Sequence, residues 1–131
     1  MDKNDGRVVS NFINQALNNQ DLTLYGEGLQ TRSFCYIDDL LEILITFAFA
    51  DDNFMGPLNI GNPQEFSVKD LANLVIKLTQ SKSKIKYLPL PQDDPKQRCP
   101  NIDLAQSRYN FSPKISLEQG LIKTIDYFKN N

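Results

Sequence analysis

Four arginines, Arg7, Arg32, Arg98 and Arg108, are the residues whose type and placement offer the clearest chemistry. Arg7 precedes a helical pattern. Arg32 follows a glycine turn and stands just before a strand pattern, and Arg98 lies in a proline-rich loop. A guanidinium on a loop at a strand end suits bidentate capture of phosphate or carboxylate. The competing reading is solvated surface arginines, which is also the simpler account of Arg108 in its helical segment. Paired carboxylates are weaker candidates. Asp38-Asp39 and Asp51-Asp52 read as helix-end residues, and Asp93-Asp94 either orients Arg98 or is solvated. Cys35 and Cys99 would lack a histidine base as nucleophiles, because the chain contains no histidine. That absence also removes imidazole general catalysis and histidine metal ligation. No metal site is expected.

The composition bounds the class. The chain has 131 residues with a formal net charge of −2 and 40% hydrophobic residues, an ordinary balance for one globular domain. A slightly acidic chain lacks the concentrated basic surface of a nucleic-acid binder. The two cysteines form no CxxC pair. No charged-then-apolar leader opens the sequence, and the apolar run from Leu40 to Ala50 is too short to cross a bilayer and is broken by Glu42 and Thr46. The expectation is a cytoplasmic protein with no membrane partner.

Helices alternate with short strands. Val8, Val9, Phe12, Ile13, Ala16 and Leu17 recur at helical spacing. Leu22–Tyr25 reads as a strand ended by Gly26-Glu-Gly28, and Ser33–Ile37 as a second. Asp38 or Asp39 is placed to cap a helix over Leu40–Ala50, which is apolar on most sides and so expected to be heavily buried. Leu58–Ile60 reads as a brief strand. Ser67, with Asp70 three residues on, starts a helix with Leu71, Leu74, Val75 and Leu78 on its core face. Ile85–Leu88 reads as a strand, Pro89–Pro100 as loop and Ile102–Tyr109 as a helix. Ser116 and Gln119 form a capping box for a last helix carrying Leu117, Leu121, Ile125 and Phe128 on one face. The result is an α/β chain thin in strands, whose short sheets leave edges open, so it is expected to pack against something larger. Tyr25, Tyr36 and Tyr87 fall on strands; Tyr25 beside Gly26 either presents its ring to a ligand or packs in the core. Gly26-Glu-Gly28 lacks the third glycine and the strand–turn–helix setting of a dinucleotide fingerprint.

Five stretches in order carry a resemblance. They are Gly6-Arg-Val-Val-Ser-Asn-Phe12, Leu22-Thr-Leu-Tyr-Gly26, Gln30-Thr-Arg32 with Phe34 and Tyr36-Ile-Asp-Asp39, Leu58-Asn-Ile-Gly-Asn-Pro63, and Asp93-Asp-Pro95 with Arg98. Together they resemble the C-terminal half of UDP-glucuronate decarboxylases, which are extended short-chain dehydrogenases/reductases of the NAD-dependent epimerase/dehydratase superfamily. The resemblance covers residues 5–130. It implies a carboxy-lyase reaction in which bound NAD oxidises the sugar at C4, the β-keto acid loses carbon dioxide, and the reduced cofactor returns the hydride to give UDP-xylose.

Carried over by position, Arg7 would lie at the boundary of cofactor and nucleotide. Thr23 and Tyr25 would line the nucleotide-base pocket, and Arg32 would clamp the pyrophosphate. Arg98, in Gln97-Arg-Cys-Pro100, would address the sugar carboxyl region. A guanidinium is a poor acid, so charge stabilisation and orientation suit Arg98 better than proton donation. The family's pattern has a histidine where Asp2 stands, a lysine at Cys99 and commonly an acid at Asn101. No tyrosine of this chain has a lysine four residues later, so the family's Tyr-x-x-x-Lys pair is missing along with its glycine fingerprint. The expectation is therefore a single substrate-binding domain or fragment over residues 1–131, without the N-terminal Rossmann half. It would bind a UDP-sugar, would bind no NAD alone, and would be inert unless a separate chain supplied the other half. The alternatives are a fragment of a nucleotide-sugar 4,6-dehydratase or epimerase, a non-catalytic module binding nucleotide or protein, and an unstable remnant.

Overall fold

The computed structural model describes residues 7–131; Asp2 and Gly6 lie outside them. Five helices are described: α1 (Val8–Leu17), α2 (Ile37–Ala48), α3 (Val68–Thr79), α4 (Asp103–Tyr109) and α5 (Leu117–Asn130). The five strands are β1 (Leu22–Tyr25), β2 (Thr31–Ser33), β3 (Glu65–Ser67), β4 (Ile85–Leu88) and β5 (Gln97–Arg98). They form two small sheets. In the first, β1 pairs parallel with β4, Leu22 opposite Ile85. In the second, of order β3-β2-β5, β2 runs antiparallel to β3 and parallel to β5. Parallel pairing requires a crossover, and α3 lies within the one that joins β1 to β4.

The main core joins α1, β1, α3 and α5. Phe12, Ile13 and Ala16 meet Leu22 and Leu24, Leu71 and Val75, and Leu121, Ile125 and Phe128. The helical spacings read from the sequence put these side chains on single faces. The caps also form as expected. Ser67 accepts from the Asp70 N–H at 3.0 Å, and Ser116 and Gln119 make the reciprocal box at 3.2 and 3.1 Å. A smaller cluster holds Ile43 of α2, Ile102, Ala105 of α4 and Phe111, flanked by Leu58 and Ile60. Phe47 stands edge-on to Tyr109, with ring centroids 5.8 Å apart.

Five expectations are corrected, the last of them the cap of α2. The second strand is Thr31–Ser33, because all three residues pair with β3 and Thr31 and Arg32 also with β5, whereas 34–36 join no ladder and lead into α2. Leu58–Ile60 forms no strand and packs as coil on the smaller cluster. Strands β3 and β5 arise within segments that carry little alternation of their own. Helix α2 is not heavily buried. Its buried residues are Asp39 and Ile43, while Leu41, Leu44 and Ile45 are exposed and Phe49, just beyond it, is 84% exposed. It packs on one side only.

Asp38 and Asp39 do not cap α2, whose N-cap is Tyr36 without a side-chain bond. Asp39 does something more demanding. The residue is 3% exposed, and its Oδ2 accepts the backbone N–H groups of Lys114 at 3.1 Å and Ile115 at 2.9 Å, pinning the entry to α5 onto the first turn of α2. Removing the acceptor would take a charged partner from two partly shielded N–H groups, and a hydrogen bond to a charged group contributes about 1.5–3 kcal/mol. Asp39→Ala is expected to lower the unfolding free energy by about 2–4 kcal/mol, measured by urea denaturation. A loss below about 0.5 kcal/mol would show that the clamp is dispensable.

Candidate functional site

Arg32 and Arg98 are brought together. They are register partners across the parallel β2–β5 pair, and residues opposite one another in a parallel ladder project from the same face. Arg32 sits at the middle of the central strand, with its side chain 17% exposed. Its Nη2 donates to Asp94 Oδ1 at 2.9 Å and its Nη1 to the Thr31 carbonyl at 2.7 Å. The Asp93-Asp94 pair therefore orients Arg32, not Arg98; Asp93 is exposed. Arg98 is exposed at the strand end, and its side chain has no hydrogen bond or ion pair among the described residues.

The second sheet is tied at its base by Glu65. The Oε1 of that residue accepts from Thr31 Oγ1 at 3.0 Å and from Gln97 Nε2 at 2.6 Å, linking all three strands. Past β5, the Cys99 thiol donates to the Pro63 carbonyl at 3.2 Å, and Pro100 lies against Gly61.

Thr23 and Tyr25 share the face of β1 opposite the buried Leu22 and Leu24. Sequence reasoning missed Gln15, one helical face away on α1. Its amide donates to Thr23 Oγ1 at 3.3 Å and its carbonyl accepts the Thr23 backbone N–H at 3.4 Å. Tyr25 is exposed and does not pack in the core. Its carbonyl accepts from the Gly28 N–H and from Gln30 Nε2, both at 3.3 Å. The intervening turn has φ +62° at Gly26 and +72° at Gly28, and a Cβ on Gly28 would come within 2.5 Å of the Leu24 side chain. The turn leads from one strand to another, not into a helix. This turn is thus no cradle for a dinucleotide phosphate.

Arg7 stands elsewhere. It is the N-cap of α1 and lines a cavity of about 880 Å³ with Ser33, Cys35, Tyr36, Thr124 and Tyr127. Neither Arg32 nor Arg98 lines that cavity. The buried Ser33 hydroxyl has no partner there. No cluster of three metal-ligating side chains exists among the described residues, and none of their helices is long and apolar enough to cross a membrane.

Comparison with known proteins gives a consistent picture. The NAD dependent epimerase/dehydratase family matches residues 1–61. The chain is 47% identical to UDP-glucuronic acid decarboxylase 1 of Danio rerio over 98% of its own length and 30% of that protein's. It is 43% identical to UDP-glucuronic acid decarboxylase 1 of Arabidopsis thaliana over 96% and 28%. In fold it is similar to UDP-glucuronic acid 4-epimerase from Bacillus cereus, solved in complex with UDP-glucuronic acid and NAD. The TM-score is 0.89 at 30% identity, covering 95% of this chain and 40% of that one. The chain thus spans about 30% of the length of its decarboxylase relatives, and its fold is that of the C-terminal part of epimerase-type structures.

Burial, then the Asp39 carboxylate, raise the Cys35 thiol above its ordinary pKa. A thiol whose pKa is higher folded than unfolded contributes stability in full below the unfolded pKa and loses it as pH rises through the folded one. The denaturant midpoint of the chain is therefore expected to fall more steeply above the ordinary thiol pKa than that of Cys35→Ala. Parallel pH profiles of the two proteins would refute this.

Proposed function

We propose that this relative of the UDP-glucuronic acid decarboxylases is the nucleotide-sugar-binding portion of such an enzyme. The observation that carries the reading is the register of Arg32 beside Arg98, which sets two guanidiniums on one face of a sheet. A diphosphate needs fixed cationic donors at close spacing, and planar forks supply them better than point charges. In this reading Arg32 takes the pyrophosphate and Arg98 the sugar carboxylate by charge and orientation. Thr23 and Tyr25, on the outward face of the neighbouring sheet, take the base. Arg7, which lines a cavity that neither Arg32 nor Arg98 lines, addresses the boundary with the cofactor-binding half in this reading.

The relatives' length supports the rest. These 131 residues carry no Tyr-x-x-x-Lys pair and no dinucleotide glycine pattern. Decarboxylation of UDP-glucuronate then needs further polypeptide, on this chain or a second one, to hold NAD. A non-catalytic nucleotide-binding module is the alternative from another class, distinguished by tight uptake of nucleotide with no preference for the glucuronate carboxylate.

Titration calorimetry tests the proposal. UDP-glucuronate is expected to bind more tightly than UDP-glucose or dTDP-glucose. Because a charge-assisted hydrogen bond contributes about 1.5–3 kcal/mol, Arg98→Ala is expected to weaken UDP-glucuronate by roughly 10- to 100-fold while barely affecting UDP-glucose. Absence of binding to all three, or turnover of UDP-glucuronate by these 131 residues with NAD alone, overturns it.

A further inference from the structure

We propose that Asp94 is the positioning residue of this site: its carboxylate fixes the fork of Arg32 so that the remaining N–H groups face an incoming diphosphate. The proposal rests on the nucleotide-sugar reading above and adds to it a residue that need not touch the ligand.

The geometry is specific. Asp94 reaches Arg32 from 62 positions along the chain, through one oxygen and one guanidinium nitrogen at 2.9 Å. The opposite nitrogen is held by the Thr31 carbonyl at 2.7 Å. Two fixed points on a planar group define its orientation, and an arginine carries five donors, so the rest of the fork stays available. The loop that delivers Asp94 is itself held. The Asp94 N–H donates to the Pro91 carbonyl at 3.3 Å, and the Thr31 N–H donates to Lys96 at 2.9 Å. Pro95 follows directly and disfavours helical backbone at Asp94, which restricts where its carboxylate can reach. The pair is mostly shielded, with side chains 17% and 27% exposed. A loose surface ion pair would show neither the shielding nor the second anchor.

Charge alone predicts the opposite effect. A carboxylate next to an anion site repels the anion, so removing it should tighten binding. A long cation freed of its anchor regains rotamer freedom that a ligand must then remove. The sign of the change in affinity therefore separates the roles.

The experiment measures UDP and uridine affinities for the 131-residue chain and for Asp94→Ala and Asp94→Asn, with thermal melts as a folding check. Asp94→Ala is expected to lose about five- to tenfold in UDP affinity with uridine unchanged. Asp94→Asn, which keeps the accepting oxygen and drops the charge, is expected to restore UDP affinity to within about twofold of the parent. Tighter UDP binding by Asp94→Ala, an equal loss for uridine, or an Asn variant no better than Ala overturns the proposal. Nitrogen-15 spectra of the Arg32 guanidinium without ligand provide an independent measure. Rotation is expected to be slow in the parent and fast in Asp94→Ala; fast rotation in both overturns the proposal. Should the parent bind no UDP, the nucleotide-sugar reading itself fails, and the spectra still decide whether Asp94 holds Arg32.

Discussion

Strand β2 is only three residues long, yet the site depends on its being paired on both edges. An isolated strand of that length has no stability of its own. Its antiparallel bonds to β3 and parallel bonds to β5 are what give Arg32 a fixed direction. The same pairing sets Arg98 alongside, brings Asp94 within hydrogen-bond distance, and lets one carboxylate, Glu65, tie the three strands at their base. Side-chain chemistry at this face is thus a consequence of backbone register: a slip of one residue would turn Arg32 to the opposite face.

The larger elements carry this small sheet without contributing to its chemistry. Helices α1, α3 and α5 close a continuous apolar core over β1, and the buried side chains of Leu71 and Val75 belong to the helix that begins where β3 ends. The Ser67 cap stands at that junction. Asp39 performs the equivalent task at the other side, tethering the approach to α5 to the start of α2. Two polar anchors therefore fix where α3 and α5 begin.

Much of this was legible in the sequence. Helices α1, α3 and α5 announce themselves by period and caps, and β1 by its alternation of Leu22 and Leu24 with Thr23 and Tyr25. What was illegible is what depends on a distant partner. Strands β3 and β5 exist because β2 lies between them. The displacement of the second strand to Thr31–Ser33 follows from the same pairing, since Phe34 and Tyr36 alternate just as well. Helix α2 misled for a different reason: its leucines and isoleucines state a preference for burial, but local sequence does not say whether a covering surface exists. The candidate arginines were readable by type and position. Which of them adjoin was not: Arg32 and Arg98 share a ladder, while Arg7 lines a cavity that neither of them lines.

The long sequence separation of these contacts bears on how the chain acquires its structure. Asp94 meets Arg32 across 62 intervening steps, and Asp39 meets Lys114 and Ile115 across 75 and 76. Contacts so distant demand loop closure before they return any free energy, and such topologies fold slowly. During synthesis Arg32 leaves the ribosome well before Asp94 and Arg98, and α5, which seals the core with Leu121, Ile125 and Phe128, follows later still. The three-stranded sheet is consequently a late product of folding, and a nascent chain stalled before α5 would hold its apolar segments open to solvent and to chaperones.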